Sequence, residues 1–136
     1  VERTLVIVKP DGVRRRLIGE ILARLERRGL RLVAGDLRTL DVDTARRHYA
    51  EHEGKPFFDE LVAFITGGPA FVGVVEGPPG TWAIVRATMG ATNPADAAPG
   101  TVRGDLATEL TENLIHGSDS AEAAAREIEV FFPSRG

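Results

Sequence analysis

Near the start of the chain the run Thr4-Leu5-Val6-Ile7-Val8 leads directly into Lys9-Pro10-Asp11-Gly12. β-Branched residues at this density favour extended backbone, the run is too short for a helix, and Pro-Asp-Gly is turn chemistry. A buried strand therefore opens the fold. The rest of the chain has to supply its neighbours and its cover.

Ile18, Ile21, Leu22 and Leu25 recur at helical spacing, and Gly29 stops the pattern as a C-terminal cap does. Residues 30–40 read as a second strand, long and bulged at Gly35. Asp43 or Thr44 is placed to cap a short helix running to about His52. Pro56 then occupies the first position of a helix carrying Phe57, Phe58, Leu61, Val62 and Ile65, and Gly67-Gly68-Pro69 ends it. Residues 70–76 read as a third strand. A helix with Trp82, Val85 and Met89 follows Pro78-Pro79-Gly80.

From Gly90 to Gly104 no hydrophobic period is present, and Gly, Pro, Ala, Thr and Asn dominate. Loops of that length inside a compact domain are uncommon and are usually either functional or disordered. Residues 110–116 offer a fourth strand, and Ser120 caps a last helix running through Ile128. The order of elements predicts an α/β sandwich with few, mostly antiparallel strands. No repeat or linker divides it, so residues 1–136 are expected to form a single domain.

Apolar residues make up 43% of the chain, and no apolar run approaches the roughly 18 residues of a membrane span. With no cysteine and no signal-type start, the expectation is a soluble, cytosolic protein without disulfides. The net charge of −3 speaks against dedicated nucleic-acid binding. Residues 1–38 hold ten basic residues against five acids, and residues 39–136 hold seven against fifteen. Arg24, Arg27, Arg28 and Arg31 fall where a helix meets water and read as a solvated face.

Two familiar nucleotide cradles are missing. Gly54-Lys55 is followed by Pro56 instead of Ser or Thr, and no G-x-G-x-x-G occurs. His48-Tyr49-Ala50-Glu51-His52 matches H-x-x-E-H, a zinc-peptidase pattern that needs both imidazoles on one helical face, with Glu127 as a conceivable third ligand. So short a pattern arises readily by chance, and solvated helix histidines are the competing reading.

The specific signal is a combination. Lys9-Pro-Asp-Gly follows a strand, and Arg86 lies on a helix. Thr92-Asn-Pro-Ala-Asp96 and Pro99-Gly-Thr-Val-Arg103-Gly-Asp105 bracket the long loop, and Asn113-Leu-Ile-His116-Gly-Ser118-Asp-Ser120 comes next. Together with IGEI, HYAEHEGKPFF and the closing EI and FFP, these segments resemble the nucleoside diphosphate kinase family over essentially the whole chain.

That resemblance implies a ferredoxin-like fold, with a four-stranded sheet covered by helices, and a ping-pong transfer of the γ-phosphate of ATP to a nucleoside diphosphate through His116. It implies that Glu127 and Ser118 steady the imidazole and that Tyr49 brings its hydroxyl near the transferred group. Lys9, Arg86, Arg103 and Thr92 would meet phosphates, Phe57 and Leu61 the base, and Asn113 with Lys9 the ribose. Mg2+ would come with the nucleotide phosphates and water, because no tight carboxylate cluster is evident. A homo-hexamer, alternatively a tetramer, is implied as well.

Three segments depart from the family pattern: Gly67-Gly68-Pro69-Ala70-Phe71, Pro78-Pro79-Gly80-Thr81-Trp82, and Leu106 where phenylalanine is frequent. They bear on packing and subunit contacts. A rival reading of the whole is a non-catalytic ferredoxin-like module.

Overall fold

The opening run forms the centre of the sheet. In the computed structural model, which describes residues 1–133, β1 (Glu2–Val8) lies between β3 (Ala70–Gly77) and β4 (Ile115–Gly117), and β2 (Arg31–Arg38) flanks β3. The order is β2-β3-β1-β4, and each of these pairings is antiparallel. The last three residues of the expected domain, 134–136, lie outside the described residues.

Side chains alternate across a strand, so β1 needs apolar cover on both sides. Leu5 and Ile7 pack with Phe58, Val62, Ile65 and Phe131, whereas Val6 and Val8 pack with Ile21, Leu25, Val85 and Met89. The first group is carried by α4 (Phe58–Ile65) and α7 (Ala121–Phe131), with α3 (Val42–His48) beside them. The second is carried by α2 (Ile18–Arg27) and α5 (Thr81–Met89). Leu5, Ile7 and Val8 are each 0% exposed. Burial at this level contributes about 1.5–3 kcal/mol per side chain, which is why Leu5 to Val8 are apolar on both faces.

Several boundaries differ from the sequence reading. Lys9-Pro10-Asp11-Gly12 is not a plain turn but the start of α1 (Pro10–Arg14), with proline in the first turn, where its missing N–H costs nothing. Gly12 allows this helix to sit close to the chain before β4. A Cβ there would lie 2.8 Å from Val8 Cγ1 and 3.0 Å from the Leu114 carbonyl oxygen.

The irregularity in β2 falls between Leu32 and Ala34, not at Gly35. The cap of α3 is Asp41, whose carboxylate accepts the Thr44 N–H at 2.7 Å, in place of Asp43 or Thr44. That helix stops at His48, and residues 50–52 form a separate 3-10 turn. Phe57 precedes α4 as its cap residue, so Pro56 lies outside the helix.

The segment after Gly90 is also more ordered than its composition suggests. It holds a 3-10 turn (Pro94–Asp96) and α6 (Val102–Leu106), capped by Asn93 and Thr101. A Cβ on Gly104 would collide with the Ala98 carbonyl oxygen, so glycine allows the segment to fold on itself. Local side-chain caps, with Val102 buried in the core as an anchor, hold these turns together in the absence of a hydrophobic period.

Arg24 is not merely solvated. Its guanidinium bridges Glu20 at 2.8 Å and Asp105 at 2.7 Å, tying α2 to α6. The expected fourth strand is only Ile115–Gly117, since the chain from Leu110 to Leu114 is irregular.

Candidate functional site

Irregularity before β4 is what builds the site. Leu114 has φ +75, and the Ile115 N–H donates to the Asn113 carbonyl at 2.9 Å, closing a three-residue turn around a left-handed residue. Such γ-turns are rare and strained. Three contacts hold this one: the buried Asp11 carboxylate accepts the Leu114 N–H at 3.0 Å, the Lys9 N–H donates to the Leu114 carbonyl at 2.9 Å, and the Leu114 side chain is 0% exposed. The turn points Asn113 one way and starts β4 the other, with His116 opposite Ile7 in the ladder.

His116 Nε2 lies 2.7 Å from Glu127 Oε1, and the Ser118 hydroxyl donates to that same oxygen at 2.9 Å. Glu127 reaches this place because Ser120 caps α7, accepting the Ala123 N–H at 3.0 Å, and Glu127 stands two turns into the helix. Burial would raise its carboxyl pKa. The hydrogen bond from His116, the charges of His116 and His48, and the Ser118 hydroxyl outweigh that and hold it below the ordinary range. With Nε2 occupied by a carboxylate, the ring nitrogen left for chemistry is Nδ1.

His116 opens on a cavity of about 600 Å³ whose lining includes Lys9, Tyr49, Phe57, Leu61, Thr92, Arg103 and Asn113. Lys9 Nζ donates to Asn113 Oδ1 at 2.9 Å and to the Thr111 carbonyl at 3.0 Å. Its pKa is lowered to about 8, mainly by burial, against the opposing pull of Asp11. Asn113 in turn donates through Nδ2 to the Thr92 carbonyl at 2.9 Å.

Arg103 is 4% exposed and donates to the carbonyls of Asn113, Gly90 and Ile115 at 3.2, 3.2 and 2.6 Å. Burial, with Arg86 nearby, lowers its pKa to about 10, so it stays charged at neutral pH. It is a structural clasp on the cavity wall.

The nucleoside diphosphate kinase family model matches residues 2–136. The chain belongs to that family. It is 59% identical over 135 residues to a nucleoside diphosphate kinase of Mycobacterium sp. (strain MCS), covering 98% of each chain. It is 61% identical over 132 residues to one of Thermomicrobium roseum, covering 97% of this chain and 88% of that relative. Among solved structures, it matches a halophilic nucleoside diphosphate kinase of Halobacterium salinarum in complex with CDP. The TM-score is 0.93 at 56% identity, with 98% of this chain and 88% of that one covered.

For a nucleoside diphosphate kinase, the distribution of apolar side chains around the cavity is informative. Phe57 is 43% exposed, while Phe58 and Val62 are 8% and 7% exposed and belong to the core. Of the two adjacent phenylalanines, Phe57 is therefore the one that faces the cavity. Leu110, 57% exposed and also on the cavity wall, carries no site signal in the sequence, where it reads only as the start of the fourth strand. Phe64, Thr111, Glu60, His52 and Ile115 complete the lining.

Of the expected site residues, Arg86 alone stands apart from both the cavity lining and the Glu127 cluster. It donates to the Gly117 carbonyl at 2.9 Å and braces the chain between His116 and Ser118. Tyr49 lies on the cavity wall at the C-cap of α3, and burial pushes its phenol up to about 12, so the hydroxyl keeps its proton.

The H-x-x-E-H pattern does not form a zinc-peptidase face. The helix ends at His48, with Tyr49 as its cap, and His52 sits in the following 3-10 turn. His48 instead turns inward, 3% exposed, against His116. Nor does the cavity offer an oxygen cage for a hard cation. Glu60 is the one carboxylate in the lining, alongside Lys9 and Arg103. This donor set fits phosphate oxygens better than a bare hard cation.

Proposed function

We propose that this chain moves the γ-phosphate of a nucleoside triphosphate, typically ATP, to a nucleoside diphosphate by a ping-pong mechanism through a phosphohistidine on His116, maintaining NTP and dNTP pools. The observation that carries this reading is the Nε2 contact of His116 with Glu127 at the edge of the cavity. Glu127 accepts the Nε2 proton and so keeps the lone pair on Nδ1.

In the first half-reaction Nδ1 bonds to the γ-phosphorus while the bond to the β,γ-bridging oxygen breaks, and the diphosphate leaves with that electron pair. In the second, a terminal oxygen of the acceptor diphosphate takes the phosphoryl group and the N–P electrons return to Nδ1. The imidazolium character that develops on the ring is stabilised by Glu127, which Ser118 orients.

Phosphoryl transfer needs positioning and charge compensation more than covalent help. Lys9 and Arg103 supply positive charge at the cavity, Arg86 supplies it behind Gly117, and Thr92 and the Tyr49 hydroxyl offer hydrogen bonds to the phosphates. Phe57 stacks on the base and Leu61 packs beside it, with Leu110 on the cavity wall as a further apolar contact. Stacking uses a π-face that all bases share, which suits an enzyme that accepts many nucleotides. Asn113 and Lys9 bind ribose hydroxyls. Mg2+ enters on the nucleotide phosphates.

Residues 1–136 constitute one such domain, working in the cytoplasm as a homo-hexamer, with a homo-tetramer the alternative, and without dedicated nucleic-acid binding. No helix among the described residues is long and apolar enough to cross a membrane. The CDP bound to the Halobacterium salinarum relative supports a nucleotide in this cavity. Incubation with γ-labelled ATP should leave an acid-labile, alkali-stable label on the wild type and none on His116→Ala. A wild type that stays unlabelled would leave only the non-catalytic reading.

A further inference from the structure

His48 is a buried group that the transfer chemistry does not use. It is 3% exposed, and neither Nδ1 nor Nε2 has a hydrogen-bond partner. Its ring meets His116 edge-on, with centroids 4.6 Å apart and an interplanar angle of 84°. Tyr49 and Phe131 pack around it at 4.6 and 5.3 Å. A neutral imidazole has one N–H to donate and one lone pair to offer, and leaving both idle in the interior is costly.

The same place holds two more donors. One ligand atom each from His48, His116 and Glu127 lie within 4.8 Å of one another. Two imidazoles and a carboxylate are a donor set typical of open zinc centres, in which a fourth position is left to water or an anion. Mg2+, which demands oxygen ligands in octahedral array, is poorly served by it. Tetrahedral zinc spaces its ligand atoms about 3.3 Å apart, so the side chains have to close inward. His116, with a quarter of its side chain exposed on the cavity, provides the entry.

We propose that His48, His116 and Glu127 form a site for a borderline transition-metal ion of the Zn2+ type, and that filling it silences His116. The second half rests on the phosphotransfer reading above. An ion held between Glu127 and His116 takes the Nε2 lone pair. The proton that Nε2 carried is lost to water and Nδ1 gains one, so the nitrogen that attacks phosphorus no longer has an electron pair to use. Metal and nucleotide approach opposite nitrogens of the ring. Inhibition therefore lowers kcat and leaves nucleotide affinity little changed.

The test uses the full chain in metal-free, non-chelating buffer. Calorimetric titration with Zn2+ should show one ion bound per chain, Mg2+ should not replace it, and His48→Gln and His116→Gln should each weaken zinc binding at least about tenfold. His52→Gln should retain it. Co2+ offered to the wild type should give the intense visible spectrum of a tetrahedral centre, a readout that needs no variant to fold. Zinc should also block γ-phosphate labelling of the wild type but not of His48→Gln. Absence of stoichiometric binding, or equal zinc affinity in wild type and His48→Gln, would overturn the proposal. A wild type that binds zinc yet never labels, even metal-free, would instead defeat the phosphotransfer reading alone.

Discussion

The Asp11 carboxylate accepts the Leu114 N–H at 3.0 Å, from α1 to the turn that precedes His116, across 103 residues of sequence. Asp11 is 1% exposed and its other oxygen, Oδ1, has no hydrogen-bond partner, so its burial is justified by this one contact and by the neighbouring Lys9 charge. The left-handed Leu114 backbone is thereby stabilised from outside its own segment.

Asp11→Ala leaves the buried Leu114 N–H without an acceptor and should cost about 1–3 kcal/mol of folding free energy. Asp11→Asn retains an acceptor oxygen and should cost less. Urea denaturation of the two variants measures the difference. Equal stability of Asp11→Ala and wild type would show that the turn does not depend on this carboxylate.

Removing the Glu127 carboxylate frees the His116 ring to adopt the wrong tautomer. Glu127→Ala should slow phosphohistidine formation roughly 100-fold, a smaller loss than the roughly 10,000-fold caused by removing the tautomer-setting acid of a serine-protease triad. Ser118→Ala keeps the carboxylate but loosens it, and the expected loss is only about tenfold. Rapid-quench labelling with γ-labelled ATP reads both, and a Ser118→Ala loss as large as that of Glu127→Ala would reverse their order of importance.

Phe57 is exposed, so truncating it should leave the fold almost intact. Phe57→Ala should weaken nucleotide binding by about 1–3 kcal/mol, the magnitude of base–aromatic stacking. Calorimetric Kd values for several bases provide the check, and losses of similar size for all of them are expected. Unchanged affinity would remove Phe57 from the site.

Burial pushes the Lys9 ammonium down to about 8. Above that value the ammonium loses its proton, and kcat/KM, which reports the free enzyme, should fall as pH rises through about 8. Lys9→Met should lie lower throughout and show no inflection there. An inflection retained in Lys9→Met would belong to another group.

Burial lowers His48 from an ordinary 6.5 to about 3. Between these values the unfolded chain binds a proton that the folded one refuses, so this group favours unfolding as pH falls below 6.5. The slope it adds is at most about 1.4 kcal/mol per pH unit. Denaturation midpoints followed from neutral pH down to roughly pH 4.5 should decline less steeply in His48→Gln than in wild type. Parallel profiles would mean that His48 does not govern the acid limb.

The strand Thr4–Val8, the helix from Ile18, the Ser120 cap and the glycines that end helices were legible in the sequence, because each rests on contacts between near neighbours or on a period of two or 3.6. The matched segments carried the family and with it His116, Glu127 and the candidate cations. They pointed to Phe57 as well, but periodicity and residue type alone could not tell Phe57 from Phe58. Both are aromatic at adjacent positions, and only the packing of α4 on the sheet buries one and leaves the other 43% exposed. His48 likewise read as a solvated residue of a zinc-like pattern until the end of α3 and the approach of α7 enclosed it. Asp11 and Leu114 gave no local signal, since the contact that defines their role exists only once α1 docks beside the chain entering β4. Local propensity and periodicity are properties of neighbouring residues, and the sequence by itself determines them. Which side chains are enclosed, which are orphaned and which face the cavity depends on distant segments meeting, and only the tertiary structure decides that.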